Sequence, residues 1–227
     1  MTQPRAAIEP LGEFSYLVRW PDQTIVPAVL DQVQRLSRRL RAAKIPGLLD
    51  LVPAYASLGV VFEPTLEAAV REQRQAELER AMQDCLDETQ AATAETATVV
   101  EIPVRYGQAF GADFSDLCQR AGMSSEQLIE AHCAPLYTVA MIGFAPGFPY
   151  LIGLDPRLHC PRHSTPRTQV AAGSVGIAGA QTGIYPHAGP GGWQLIGQTP
   201  LPLFEAADDP PSRLQPGDRV RFLPVSD

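Results

Sequence analysis

Lysine is almost missing from this chain of 227 residues: Lys44 is the single one, and arginine holds every other Lys/Arg position. Schiff-base and lysine–phosphate chemistry therefore have almost no candidate residue. Histidine is scarce too. His132, His159, His163 and His187 are the only four, so the first 131 residues hold none. That stretch has no ordinary general base near neutral pH apart from shifted carboxylates, which places any chemistry in the second part of the chain. The four cysteines, Cys85, Cys118, Cys133 and Cys160, form no CxxC pair and no zinc pattern. They read as free buried thiols in a reducing compartment. No HExxH, paired-carboxylate or metal-triad spacing occurs, and no acidic ligands sit among the histidines, so a resident metal is not expected. No apolar run approaches the roughly 20 residues a bilayer span needs, and no charged-then-apolar signal segment opens the sequence. A soluble, cytoplasmic protein is expected. A net charge of −7 and a pI near 5.1 argue against non-specific nucleic-acid binding.

What is present is concentrated in residues 143–204. This stretch holds 11 of the 18 glycines and 9 of the 22 prolines, with one acid, Asp155, against Arg157, Arg162 and Arg167. Three cations less one anion give +2 inside an acidic protein. Glycine lets backbone approach a ligand closely and proline stiffens loops, so a rigid, locally cationic surface for a small anion is one reading. A loop-rich β-barrel whose turns need these residues is the other.

Residues 13–20 alternate as a half-buried strand, with Phe14, Tyr16, Val18 and Trp20 on one side. Val29, Val33, Leu36 and Leu40 define an amphipathic helix over 27–43, with arginines near its end where the helix dipole favours them. Leu49 and Leu51, then Leu58, Val60 and Phe62, alternate about a turn near Pro53–Ser57, a hairpin. A charged helix is expected over 65–88, a small polar linker over 90–98, and a strand over 98–104. Pro103 marks an edge or bulge position in that strand. The order β-α-β-β-α-β is the split βαβ, ferredoxin-like arrangement, although its last strand could belong to either domain. Beyond it, short helices are expected over 113–121 and 124–133, the second opened by a Ser124–Gln127 capping box. Short apolar runs alternating with turns from residue 137 onward suggest a β-barrel or sandwich, and Pro216-Gly217-Asp218 a turn into the last strand.

Arg162 and Arg167 flank a proline-stiffened segment, and two guanidinium forks there can grip a carboxylate or phosphate; a solvated loop is the alternative. His132 closes the 124–133 helix, where the dipole would raise its pKa; it is a helix-capping residue or an acid/base. His187 lies in the turn 185–192, either merely exposed or presented to a ligand. Ser174 and Thr182 lack the strand-to-helix context of a nucleophile elbow, and Gly173, Gly176, Gly179 and Gly183 are followed by no GK[ST], so they form no P-loop. Trp193, after Gly191-Gly192, is a core residue or a pocket wall, with Gln181 and Gln194 as amide contacts in the second case.

GFAPGFPYLIGLD, TPR at 165–167, AGSVGIAGAQTGIYP, PGGWQLIGQTP and PGDRVRF, in that order, resemble the family of the 5-oxoprolinase component PxpB, also called KipI or allophanate hydrolase subunit 1. PAYASLGVVFEP and EAHCAPLYTVAMIGF extend the resemblance over the whole chain. It implies an α+β protein: a small ferredoxin-like α/β domain at 1–95 and a cyclophilin-like β-barrel at 96–227. It implies one component of a multi-protein enzyme, inactive alone, which works with a PxpC-like (KipA-like) partner and a PxpA-like partner. Together they would carry out the ATP-dependent hydrolysis of 5-oxo-L-proline to L-glutamate. ATP with Mg would be shared with or bound by the partner, with no tightly bound cofactor. On that reading His132 is the first acid/base candidate and His187 the second. Arg162, Arg167, Gln181, Thr182, Tyr185, Trp193 and Gln194 contact substrate. Two other activities come with the family: inhibition of a sensor histidine kinase, and metabolism of urea- or allophanate-type amides. Two positions depart from the family pattern. Gly189 stands where Ser or Thr is usual before PGGW. The usual VPAGSV appears as Val170-Ala-Ala-Gly-Ser-Val, which costs only a proline's stiffness.

Overall fold

A computed structural model describes residues 6–21, 27–64, 76, 79, 80, 82–84 and 99–225. The chain divides into two compact units, Met1–Thr96 and Ala97–Asp227.

In the first unit, β1 (Ala7–Pro10), β2 (Ser15–Arg19), β3 (Leu48–Pro53) and β4 (Ser57–Phe62) form one antiparallel sheet in the order β1-β2-β4-β3. Helix α1 (Pro27–Ala42) buries Leu30, Val33, Leu36 and Leu40, a stripe at helical spacing, in a core with Val18, Trp20, Leu58, Val60 and Phe62. The helix stops where Lys44 turns to φ +46°. The hairpin forms where the alternation placed it, with one change. A register shift between Leu48 and Asp50 turns Leu49 outward, so Leu51 and Pro53 face the core and Leu49 faces solvent. The split βαβ order is not completed among the described residues of this unit. The strand expected to end it, 98–104, belongs to the second unit's barrel, and β1, which the alternation does not reveal, pairs beside β2 instead. The helix expected over 65–88 lies mostly outside the described residues; 76, 79, 80 and 82–84 are helical, and Met82 is buried.

The second unit begins with β5 (Val99–Tyr106), followed by α2 (Phe114–Ala121) and α3 (Ser125–Cys133). Ser124 and Gln127 satisfy each other's backbone N–H groups as a capping box at the head of α3. Strands β6 (Tyr137–Ile142), β7 (Pro149–Ile152), β9 (Ser174–Ala178), β10 (Gln181–Ile184), β12 (Gln194–Gln198) and β13 (Arg219–Pro224) close with β5 into a seven-stranded barrel. The order around it is β10-β7-β6-β13-β5-β12-β9. Only β5 and β13 run parallel. Pro103 is tolerated because that half of β5 pairs with β13 alone; β12 joins β5 only at Arg105 and Tyr106. A short ribbon of β8 (Arg167–Val170) and β11 (Gly189–Gly191) stands apart from the barrel ladder.

Strand alternation gives the barrel wall two apolar faces. Ile102, Val104, Val139, Leu151, Val175, Ile177, Ile184, Ile196 and Phe222 fill the interior. Each such side chain, fully buried, contributes about 1.5–3 kcal/mol. Their neighbours in sequence, Ala178 and Leu195, join Phe148, Val170, Tyr185 and Trp193 in a second cluster on the opposite face of the same strands. No helix among the described residues is long and apolar enough to cross a membrane. Cys118, Cys133 and Cys160 are free thiols; Cys160 is buried as expected, Cys118 and Cys133 are only half-buried, and Cys85 lies outside the described residues.

Candidate ligand-binding site on the barrel wall

The second apolar cluster is the floor of a cavity of about 490 Å³. Phe144, Phe148, Tyr150, Tyr185 and Trp193 supply its aromatic surface, and Arg162, His163, Ser164, Pro166 and Pro190–Gly192 its polar and backbone walls. The rings meet edge to face: Phe148 lies 5.4 Å from Trp193 and 5.2 Å from Tyr185, and Tyr150 lies 5.8 Å from Trp193. Such pairs fix ring orientation and contribute about 0.5–1.5 kcal/mol each beyond burial.

The glycines explain how the rings fit. A Cβ on Gly183 would stand 2.8 Å from the Pro149 carbonyl and 3.0 Å from both Phe148 and Trp193; one on Gly191 would stand 2.4 Å from the Tyr185 hydroxyl. Much of the glycine richness of 143–204 thus makes slots for aromatic rings. The two readings of that segment, turn chemistry and site lining, meet in one structure.

The two arginines separate. Arg167 Nη2 donates to Asp113 Oδ1 at 2.6 Å, and its Nη1 reaches the Trp193 carbonyl at 3.5 Å. Asp113 is buried and takes two further hydrogen bonds, from His163 Nε2 at 3.1 Å and Leu195 N at 2.7 Å. Burial works to raise the Asp113 pKa. The bonds from Arg167, Leu195 and His163 outweigh it and hold the carboxyl below its ordinary value. Arg167 therefore neutralises an internal carboxylate, and the two-arginine clamp is corrected to one. Arg162 lines the cavity and makes no hydrogen bond or ion pair among the described residues. It lies close enough to Tyr150 and Tyr185 to favour their ionised forms, against the stronger effect of burial, which raises both.

His163, in sequence only a loop residue between two arginines, gains its role from the fold. Its Nε2–H donates to Asp113, so the ion-paired carboxylate orients a ring that lines the cavity. The signal that could have found it, a buried aspartate fifty residues upstream, is invisible without the fold.

His132 is corrected most sharply. It is fully buried inside the barrel, with Phe222 4.5 Å and Tyr137 5.6 Å from its ring. Burial lowers its pKa to about 3, opposite to the rise expected from the helix terminus. Its hydrogen bonds run in one consistent set of directions. Thr182 Oγ1 donates to the Gly176 carbonyl at 3.0 Å, so it accepts from His132 Nε2–H, also at 3.0 Å. Tyr106 O–H donates to His132 Nδ1 at 2.7 Å and accepts from Cys133 S–H at 3.4 Å. A neutral imidazole with no exposed surface and both nitrogens occupied cannot exchange a proton with a ligand. Thr182, one residue before Gly183 on β10, faces the same interior by strand alternation, and leaves the substrate set with it.

Gln194 is buried and spends its amide on the Pro161 carbonyl at 3.0 Å, bracing the loop that carries Arg162. Gln181 opens β10 and does not line the cavity. His187 lines a different cavity, of about 840 Å³, beside Arg105, Thr199 and Phe204, with its ring 5.5 Å from Phe204. Tyr185 belongs to the lining of both cavities. Of the site residues expected from sequence, Arg162, Tyr185 and Trp193 are brought together; Phe144, Phe148, Tyr150 and His163 are added. Gly189 has open space where a Cβ would point, so a serine or threonine would fit there and its absence answers no steric demand.

A magnesium nucleotide does not fit this lining. No carboxylate is among the described residues that face the cavity, and no group of three or more His, Cys, Asp or Glu side chains able to hold a metal occurs among the described residues.

Residues 6–214 match the model of the carboxyltransferase domain, subdomains C and D. The chain is 37% identical over 231 residues to the B subunit of 5-oxoprolinase from Bacillus subtilis, covering 98% of this chain and 94% of that protein. It is 42% identical over 193 residues to the B subunit of 5-oxoprolinase from Escherichia coli O157:H7, covering 85% and 84%. Among solved structures, that of TTHA0988 superposes with a TM-score of 0.78 at 37% identity over 94% of this chain. The chain spans 40% of the length of that solved chain.

Proposed function

Because the chain belongs to the family of the 5-oxoprolinase B subunit, within the carboxyltransferase-domain family, we propose that it is the substrate-holding component of an ATP-dependent 5-oxoprolinase. It works in a cytoplasmic complex with a PxpC-like and a PxpA-like partner. The reaction adds water across the lactam C–N bond of 5-oxo-L-proline to give L-glutamate, coupled to hydrolysis of ATP to ADP and phosphate.

The observation that carries this reading is the uncommitted Arg162 above an aromatic floor. A guanidinium with no internal partner suits the carboxylate of a small ring. Trp193 and Tyr150 supply aromatic surface to the cavity, and Gly191 and Gly192 bring backbone to its wall. His163, oriented by Asp113, adds an imidazole ring to the cavity wall. The cyclophilin-like barrel serves as a rigid frame for these groups. ATP with Mg belongs on a partner protein on this account, since the cavity has no oxygen ligands for the metal. Charge on Arg162 then holds the substrate while the partner supplies the coupled chemistry.

The test compares two arginines in the complex reconstituted with its PxpC-like and PxpA-like partners, following glutamate release from 5-oxoproline with and without ATP. Arg162→Gln should raise KM at least tenfold, the scale of a lost charge-assisted hydrogen bond of about 1.5–3 kcal/mol, with an unchanged Tm. Arg167→Gln should instead lower stability by about 1.5–3 kcal/mol, because Asp113 loses its charged partner and keeps only the bonds from His163 and Leu195 N. An assembled complex that releases no glutamate with ATP would overturn the activity; an Arg162→Gln complex with wild-type KM would overturn the role of the cavity.

A further inference from the structure

The cavity's rim carries a strained aromatic residue. Two non-glycine residues among those described have positive φ: Lys44, which ends α1, and Phe144 at +67°, which ends no helix. Ala145 N donates to the Gly143 carbonyl at 2.8 Å around Phe144. That bond and that φ define a γ-turn of the positive-φ kind, a rare and strained conformation. An aromatic side chain there is a genuine outlier, and outliers of this sort persist only where the surroundings impose them.

The surroundings do impose it. The β6–β7 loop is closed by Gly143 N donating to the Phe148 carbonyl at 3.1 Å, and a second turn follows at once, with Phe148 N donating to the Ala145 carbonyl at 3.0 Å. Pro146 and Gly147, at φ +80°, occupy the central positions of that second turn, as a type II turn requires. Gly147 is also pressed against Phe204, whose Cβ would lie 2.6 Å from a Cβ at that position. The loop cannot relax without breaking these contacts.

The strain does not serve the core. Phe144 is 67% exposed, the most exposed of the large apolar residues described. Its ring touches only the rims of two cavity walls, 5.5 Å from Phe148 and 6.4 Å from Tyr185, both edge to face. At that exposure the ring stands largely uncovered while lining a cavity whose other walls include Arg162, Tyr150 and Trp193.

We propose that Phe144 is a specificity-determining residue that covers the bound ligand, packing its ring on a flat, compact amide whose anionic end is held by Arg162. This rests on the reading of the cavity as the substrate site. The γ-turn holds the ring out in advance, so little ordering remains to be done on binding. A ring face buries more of a flat, compact lactam than of an open-chain amine.

The experiment uses the full chain and reads ligand affinity by titration calorimetry, with 5-oxoproline, proline, urea and allophanate as probes, beside thermal melts. Phe144→Gly removes the ring and the strain together; Phe144→Ala removes the ring alone; Phe144→Tyr keeps a ring. Both truncations should weaken the preferred probe about tenfold, and Phe144→Tyr less than threefold. Phe144→Gly should melt at or above the wild-type temperature, whereas a merely structural ring would make it melt lower. Wild-type affinity in both truncated chains overturns the proposal. So does a loss confined to assembly with the PxpC-like partner while the isolated chain binds normally, since the ring would then face a protein. If urea or allophanate binds in place of 5-oxoproline and is weakened by the same variants, the ring's role stands and the 5-oxoprolinase reading falls. If no probe perturbs the wild-type chain, both fall.

Discussion

At the scale of the residue, histidine shows how much environment decides. His132 and His163 share a side chain and have opposite roles. The interior one is held neutral by burial, with both nitrogens engaged. Its folded pKa of about 3 lies below the ordinary value of 6.5. The unfolded chain therefore takes up a proton below about pH 6.5 that the folded chain refuses until near pH 3. Stability from this group is complete above pH 6.5 and is lost as pH falls toward 3. At pH 4.5, two units below the unfolded value, the loss should be on the order of 3 kcal/mol. Urea denaturation at pH 7 and pH 4.5 checks it: His132→Gln should be less stable than wild type at pH 7 and lose less on acidification. An equal acid loss in both proteins would remove the assignment. None of this is readable from sequence, where position at a helix end argues for a raised pKa. The arginines carry the same lesson. Arg162 and Arg167 look alike in PRHSTPR, and only the fold brings Asp113 to one of them.

Elements are more legible than residues. The capping box of α3, the apolar stripe of α1, the Pro53–Ser57 hairpin and the final turn into β13 all follow from local rules, because each is fixed by neighbours within a few positions. What local rules miss is pairing over distance. Strand β1 carries too few apolar residues to alternate visibly, and β5 reads equally well as the last strand of the first unit or the first of the barrel. Alternation on β10 also decides the site: Thr182 points inward to His132, while Gly183 opens the outer face to Phe148 and Trp193. Gly183→Ala is therefore an element-scale test, since its φ is unexceptional and the obstacle is purely steric. Overpacking against the Pro149 carbonyl should lower stability by about 1–3 kcal/mol. It should also shift Trp193 emission and weaken ligand binding. Gly189→Ala, where nothing lies within 4 Å of a Cβ and φ is equally unexceptional, should leave the Trp193 signal unchanged.

At the scale of the molecule, the cavity, its aromatic floor and its ion-paired support all come from one unit. Asp113, Arg162, Arg167, Tyr185 and Trp193 lie within Ala97–Asp227, and the barrel that carries them closes on itself through β9–β10 with a core of its own. Closure removes the exposed edges that make an excised sheet aggregate. A unit of about this size buries enough apolar surface to fold alone. The lack of histidine before His132 agrees with chemistry confined to this half. Residues 97–227 expressed by themselves should thus unfold in one cooperative transition, with the emission of Trp193, then the fragment's single tryptophan, typical of a buried indole. Their affinity for 5-oxoproline should match that of the full chain within about threefold, because every group assigned to the ligand is retained. A folded fragment that has lost the ligand would mean that the first unit completes the site, and the assignment of Arg162, Trp193 and Phe144 as a sufficient set would have to be given up.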